Sequence, residues 1–97
     1  MDTERPDDIC AKSYGRGIRL LLKQLNGEAP PIVLIEGDRK SLEFLADLIM
    51  AQARFTKDSG FQIFPSGPGG SFFSPGSLGI YVHRVDQQGS EEQVQRP

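Results

Sequence analysis

The hydrophobic pattern is most pronounced between residues 32 and 55. Four consecutive aliphatic residues, Ile32 to Ile35, follow two prolines, and such side chains favour an extended, largely buried strand. Gly37 then allows the chain to change direction, and the Asp38 carboxylate can accept a hydrogen bond from a backbone N–H as a helix N-cap. The pattern predicts a buried strand followed by a helix that begins at about Arg39.

The predicted helix has a wide apolar stripe. Its apolar positions recur at helical spacing and cover much of one side: Leu42, Phe44, Leu45, Leu48, Ile49, Ala53 and Phe55. Turn-forming residues from Lys57 to Gly60 end it. A helix with this stripe needs a sheet on which to lie.

The segment from Gly17 to Asn26 fits two structures. Ile18, Leu21, Leu22 and Leu25 match helical spacing, whereas Ile18, Leu20 and Leu22 also alternate as in a strand. We favour the strand, because the central helix needs a sheet partner and three strands are the usual minimum for a stable sheet. The strand would return through a loop into Ile32 and form an antiparallel hairpin.

Two further strands are predicted after the helix. Phe61, Ile63 and Phe64 form a short one that Pro65 ends, and a Gly-, Pro- and Ser-rich loop follows it. In the last strand Leu78, Ile80 and Val82 share one face, and Gly79, Tyr81 and His83 share the other. The predicted fold is α+β: an antiparallel four-stranded sheet in β-β-α-β-β order with one main helix packed on one face.

The 97 residues are enough for one domain with a single core. Residues 1–12 are predicted to form a flexible N-terminal arm and residues 87–97 a disordered polar tail, because both segments are polar and lack apolar periodicity. The domain itself is predicted to span residues 13–86.

Composition excludes several function classes. The formal charge of −2, from 11 basic and 13 acidic side chains, gives no basic footprint for nucleic acid. The longest apolar runs have four residues, far fewer than a membrane span requires, and the acidic start of the chain does not resemble an export signal. A lone cysteine, Cys10, fits a reducing compartment, so we expect a cytoplasmic protein.

No catalytic, cofactor or metal site is predicted, and we expect that the protein is not an enzyme. His83 is the only histidine, and Glu36 and Asp38 are explained by a strand end and a helix cap. The loop at Gly67 to Gly70 lacks the residues of a phosphate-binding motif and does not precede a helix. Cys10 is expected to be structural, because a reactive thiol needs an electropositive site.

Four aromatic side chains are candidate contacts for a protein partner. Tyr81 and His83 are expected on the outer face of the last strand. Phe72 and Phe73 follow the glycine-rich loop, where they are either core residues or exposed hydrophobic anchors.

The chain resembles a family of small bacterial immunity proteins, the one numbered thirty-two among the immunity families of polymorphic toxin systems. The resemblance covers Ile32 to Val85 and is carried by Gly37-Asp38, Leu42-Glu43-Phe44-Leu45-Ala46, Phe61-Gln62-Ile63-Phe64-Pro65 and Gly76-Ser77-Leu78-Gly79-Ile80-Tyr81-Val82-His83-Arg84-Val85. Where members of the family often have a His-x-Asp-Pro motif in the third strand, this chain has Gln62-Ile63-Phe64-Pro65.

The resemblance implies a protein that binds a cognate toxin in the producing cell's cytoplasm and blocks it. The alternative is a regulatory binding module without a toxin partner, or a homodimer that pairs exposed strand edges, since an open sheet has two edges. In either case we expect the partner to be a protein, and we expect binding to neither nucleic acid nor a membrane.

Overall fold

The computed structural model describes residues 4–25, 31–55 and 60–85. The helices and strands, in chain order, are α1 (Pro6–Ser13), β1 (Leu21–Leu25), β2 (Ile32–Glu36), α2 (Arg39–Arg54), β3 (Gly60–Ile63) and β4 (Ile80–His83), with one turn of 3₁₀ helix at Gly70–Phe72. The predicted tail at 87–97 and the predicted loop at 26–30 lie outside the described residues.

The ambiguous segment is a strand, as predicted. β1 and β2 form an antiparallel hairpin in which Leu21 lies opposite Glu36 and Leu25 lies opposite Ile32. A long-range contact holds the chain just before β1, where the Arg19 amide donates to Ser41 Oγ of α2 at 2.8 Å. Tertiary contacts of this kind decide between two structures that local periodicity leaves open.

The prediction of a single four-stranded sheet is wrong. The described part of the chain is α+β, but it contains two separate two-stranded sheets, β1-β2 and β3-β4, together with two α-helices. The second edge of β1 is occupied by residues 72–78, with the Leu20 amide donating to the Phe72 carbonyl and the Leu78 amide to the Leu22 carbonyl, both at 2.8 Å. Because this irregular segment takes the position beside β1, β3 and β4 pair only with each other among the residues that the structure describes.

The N-terminal segment contains a helix where a flexible arm was predicted. Pro6 occupies the first turn, where its missing N–H is no loss, and the Asp8 carboxylate accepts from the Arg5 amide at 3.0 Å. α1 packs against α2 and buries Pro6, Ile9 and Ser13. The helix is too short to be stable alone, so this packing accounts for it.

α2 begins at Arg39, as predicted, with the Asp38 carboxylate accepting from the Ser41 amide at 3.0 Å. Its buried face differs from the predicted stripe. Phe44, Leu45 and Leu48 are buried, but Leu42 and Ile49 are about half exposed. The face that turns inward also carries Ser41, Ala51 and Gln52, because α1 and residues 72–73 pack there.

Phe72 lies at the centre of the core. Its ring stacks on Tyr14 at 4.7 Å between centroids and lies 4.4 Å from the ring of Phe44. Gly69 makes this position reachable, because it takes a φ of +75° and any Cβ there would lie 2.8 Å from Ile63. The glycine-rich loop therefore brings Phe72 into the core.

Candidate protein-binding surface

The β1-β2 hairpin exposes a set of aliphatic side chains that we call the ribbon surface. It consists of Leu25, Ile32, Val33 and Ile35, which are between 41% and 61% exposed. The predicted buried environment of β2 is therefore wrong: among its residues only Leu34 is even partly buried. Exposed apolar side chains gathered in this way are typical of a surface that another protein covers.

Both faces of the hairpin contribute to the ribbon surface. The pairing register places Val33 and Ile35 on the face that carries Leu22, and it places Leu25 and Ile32 on the face that carries Lys23 and Leu34. The first face turns toward the core at Leu20 and Leu22, which are 0% and 8% exposed. It extends beyond the core at Val33 and Ile35, where no described element covers it.

The outer edge of β2 belongs to the same surface. Within the described ranges β2 pairs with β1 alone, whereas β1 has β2 on one side and residues 72–78 on the other. Natural edge strands are usually protected by charge, proline or a bulge. Here Pro31 precedes the strand and Glu36 ends it, and the four residues between them are aliphatic. Such an edge can accept a further strand.

Tyr81 and His83 lie on the outer face of β4. Their rings stack with 6.1 Å between centroids, and Tyr81 is 65% exposed. Opposite them on β3 lie Gln62 and Gly60, so no bulky neighbour covers the two rings. The structure thus places these two predicted contact residues together on an accessible face.

Phe72 and Phe73 lie in the core instead. They are 1% and 5% exposed, and the Phe73 amide donates to the Gly70 carbonyl at 3.1 Å. Of the two alternatives that the sequence left open, the structure shows the core position, so neither ring is part of an accessible surface.

The carboxylates near the start of α2 have structural partners. Hydrogen bonds from Ser41 and Lys40 lower the pKa of Asp38 to about 2, so its carboxyl group is ionised at neutral pH. Glu36 and Asp38 line an open depression with Arg19 and Ser74. A general acid would need a carboxyl pKa raised towards neutrality, and the shift of Asp38 has the opposite sign.

The remaining candidates are the Cys10 thiol and any group of metal-binding side chains. Burial, assisted by the nearby charge of Asp7, raises the pKa of the Cys10 thiol, which disfavours the nucleophilic thiolate. In the part of the chain that the structure describes, no three His, Cys, Asp or Glu side chains are grouped so that they could hold a metal ion. None of the helices described is both long and apolar enough to span a bilayer.

Comparison of the chain with protein-family models, with curated proteins and with solved structures gives no significant match.

The ribbon surface is the feature that sequence reasoning missed. The sequence does contain a signal for it, since the residues of β1 opposite Leu34 and Val33 are Lys23 and Gln24. A strand buried on both faces would have apolar neighbours on both faces. Polar residues across the hairpin indicate that this apolar run lies at an edge.

Proposed function

We propose that this chain is a non-catalytic protein-binding domain and that the ribbon surface is its main contact. The observation that carries the proposal is the exposure of the aliphatic residues of β2, with Val33 61% and Ile32 53% exposed along an unpaired strand edge. Removing apolar surface from water is worth roughly 25 cal/mol per Å². Covering these side chains in a complex would therefore contribute a favourable free energy of binding.

The backbone of β2 supports the same proposal. A strand edge offers alternating N–H and C=O groups, and a partner strand can add main-chain hydrogen bonds to apolar contacts on both sides. Main-chain bonding supplies affinity, and the side chains on alternate faces supply selectivity. This mode of binding needs no catalytic group.

A toxin-neutralising role remains a proposal for a second surface. The observation that favours it is the exposed pair of rings, Tyr81 and His83, on the outer face of β4. Aromatic side chains are frequent anchors in protein interfaces. The resemblance to immunity proteins supplies the class of partner, and the binding would take place in the cytoplasm of the producing cell.

Co-expression tests both surfaces with two defined probes, which are the protein encoded immediately upstream and a second, differently tagged copy of this chain. The Val33→Lys/Ile35→Lys variant places charge on the ribbon surface, and the Tyr81→Ala/His83→Ala variant is its matched control on the other sheet. Co-purification and rescue from toxicity are the readouts.

We expect the Val33→Lys/Ile35→Lys variant to lose at least one complex that the wild type forms. The control variant should lose rescue from a toxic upstream protein and keep the ribbon contact. If the wild type binds neither probe, or if the charged ribbon variant keeps every complex, the ribbon surface is not a binding surface.

A further inference from the structure

The other segments of this sequence carry few apolar side chains that could cover the ribbon surface. The residues outside the described ranges, 1–3, 26–30, 56–59 and 86–97, contain only three apolar side chains, Met1, Ala29 and Val94. Three scattered side chains cannot supply a matching apolar face for Leu25, Ile32, Val33 and Ile35. A second chain can supply such a face.

We propose that the other chain is a second copy of this protein, joined by antiparallel pairing of β2 with β2 about a two-fold axis at Leu34. This inference rests on the proposed function, for which it names the partner. Leu34 is the middle residue of the five in β2, so an axis there lets the two strands overlap over their full length. A two-fold contact of this kind is closed, since each copy uses the same edge of β2.

The charges of β2 are compatible with this self-pairing. With Leu34 on the axis, Val33 lies opposite Ile35 of the other copy and Glu36 lies opposite Ile32. The two Glu36 side chains are then separated by about 14 Å along the strands, since each residue adds about 3.4 Å. Like charges directly opposite each other destabilise a strand pair, and this register places none in that position.

The helices would add to the same interface. Leu22 of β1 belongs to one core cluster with Leu45 and Leu48, so α2 lies on the side of the hairpin that carries Val33 and Ile35 without covering those two side chains. A two-fold axis perpendicular to the joined sheet keeps both copies of α2 on that face. The exposed Leu42 and Ile49, two turns apart on α2, are then available for helix contacts across the axis.

The apolar area available is of the order that a dimer needs. Seven aliphatic or methionine side chains of the hairpin and α2 are about half exposed, namely Leu25, Ile32, Val33, Ile35, Leu42, Ile49 and Met50. Their exposed surface amounts to several hundred Å², while a standard interface buries roughly 800 Å² per partner. In interfaces of ordinary composition, main-chain atoms and flanking polar groups supply the remaining buried area.

Sedimentation equilibrium of the full chain tests the proposal through matched charge variants. Leu34→Lys and Leu34→Glu each bring two like charges together on the axis, so each variant alone should dissociate at least about tenfold more readily than the wild type. An equimolar mixture should dimerise again, because Lys and Glu then lie opposite each other. Circular dichroism of each variant shows that it has folded.

Disulfide formation tests the register. In a Cys10→Ser background, Leu34→Cys should cross-link two chains rapidly, because directly opposed residues have Cα atoms about 4.5 to 5.5 Å apart. Val33→Cys is the control, since the two copies of residue 33 are then diagonal neighbours about 7 to 8 Å apart and should cross-link slowly.

The results separate this inference from the proposed function. A dimeric wild type, monomeric single variants and a dimeric mixture support it. A wild type that is monomeric at about 100 μM overturns the second-copy inference, as does a dimer that neither Leu34 variant weakens. The proposed function survives the first of these outcomes if the upstream-encoded protein still binds in a way that depends on Val33 and Ile35.

Discussion

Two apolar segments of this chain lie in environments that the residues around them in the sequence do not determine. Residues 32–35 are four consecutive aliphatics in a regular strand, yet three of them are about half exposed or more. Phe72 and Phe73 follow a loop of glycine, proline and serine, yet they are among the most buried residues of the core. Apolar side chains indicate only that a segment is favourably removed from water. The arrangement of the neighbouring elements decides whether the same chain buries it.

The neighbours of the two segments differ in kind. Phe72 has aromatic neighbours from two helical regions, Tyr14 just after α1 and Phe44 in α2. Among the described residues β2 has one neighbouring strand, in which Lys23 and Gln24 lie opposite Leu34 and Val33. The core therefore closes around the loop, and β2 remains available to a partner.

The largest expected effect is that of Phe72→Ala. Removing this ring leaves a cavity between Tyr14 and Phe44, and substitutions of buried phenylalanine by alanine cost about 3 to 5 kcal/mol. Urea unfolding followed by circular dichroism measures the free energy of unfolding. A loss below about 1 kcal/mol would place Phe72 outside the core and would remove the contrast with β2.

The second effect concerns the loop that carries Phe72 into the core. Gly69→Ala should lower the free energy of unfolding by about 2 to 3 kcal/mol, because alanine is strained at a φ of +75° and its Cβ would lie 2.8 Å from Ile63. Gly76→Ala is the matched control. It has a φ of +84° with nothing within 4 Å, so only the backbone penalty of about 1 kcal/mol applies.

Equal losses for the two glycine variants in urea unfolding would mean that the close approach of Gly69 to Ile63 contributes nothing. The buried position of the following phenylalanines would then depend on the backbone conformation of the loop alone.

The local elements of the fold were largely predictable from sequence. The β1-β2 hairpin, the start of α2 at Arg39 and β3 before Pro65 all follow from nearby residues, because turns, caps and side-chain alternation act over a few positions. The helix of residues 6–13 was missed because its stability comes from packing against α2, which its own polar sequence does not indicate.

The arrangement of the sheets was not predictable in the same way. It depends on residues 72–78 lying beside β1, and those residues have the composition of a loop. Likewise, Tyr81 and His83 were placed on an outer face by simple alternation, whereas the exposure of Ile32 and Val33 depends on which elements fail to cover the hairpin. Pairings between distant segments have no local sequence signal.

The junction between β2 and α2 should give the chain an acid-sensitive step. The pKa of Asp38 is lowered from 3.8 to about 2 in the folded protein, first by hydrogen bonding to Ser41 and then by Lys40. A folded-state pKa below the unfolded one adds stability above about pH 4, and this contribution is lost as the pH falls towards 2. Asp38→Asn keeps a capping side chain but removes the charge.

Urea midpoints of the wild type and Asp38→Asn should therefore differ at about pH 6 and converge near pH 2. A difference that persists unchanged in acid would show that the cap acts without its charge, so that the junction is held only by the hydrogen bond to the Ser41 amide.

The smallest expected effect compares the two sheets directly by removing one methylene from each. Ile63→Val in β3 should cost about 0.5 to 1.5 kcal/mol, because Ile63 is 5% exposed and its core neighbours cannot fill the space. Ile32→Val in β2 should change the free energy of unfolding by less than about 0.5 kcal/mol, because Ile32 is 53% exposed. Both are measured by urea unfolding at a concentration where light scattering gives the mass of one chain.

At higher concentration, where a partner copy covers β2, the cost of Ile32→Val should rise while that of Ile63→Val stays constant. If the two costs are equal in the single chain, β2 is already covered within it, and the contrast between the two apolar segments does not hold.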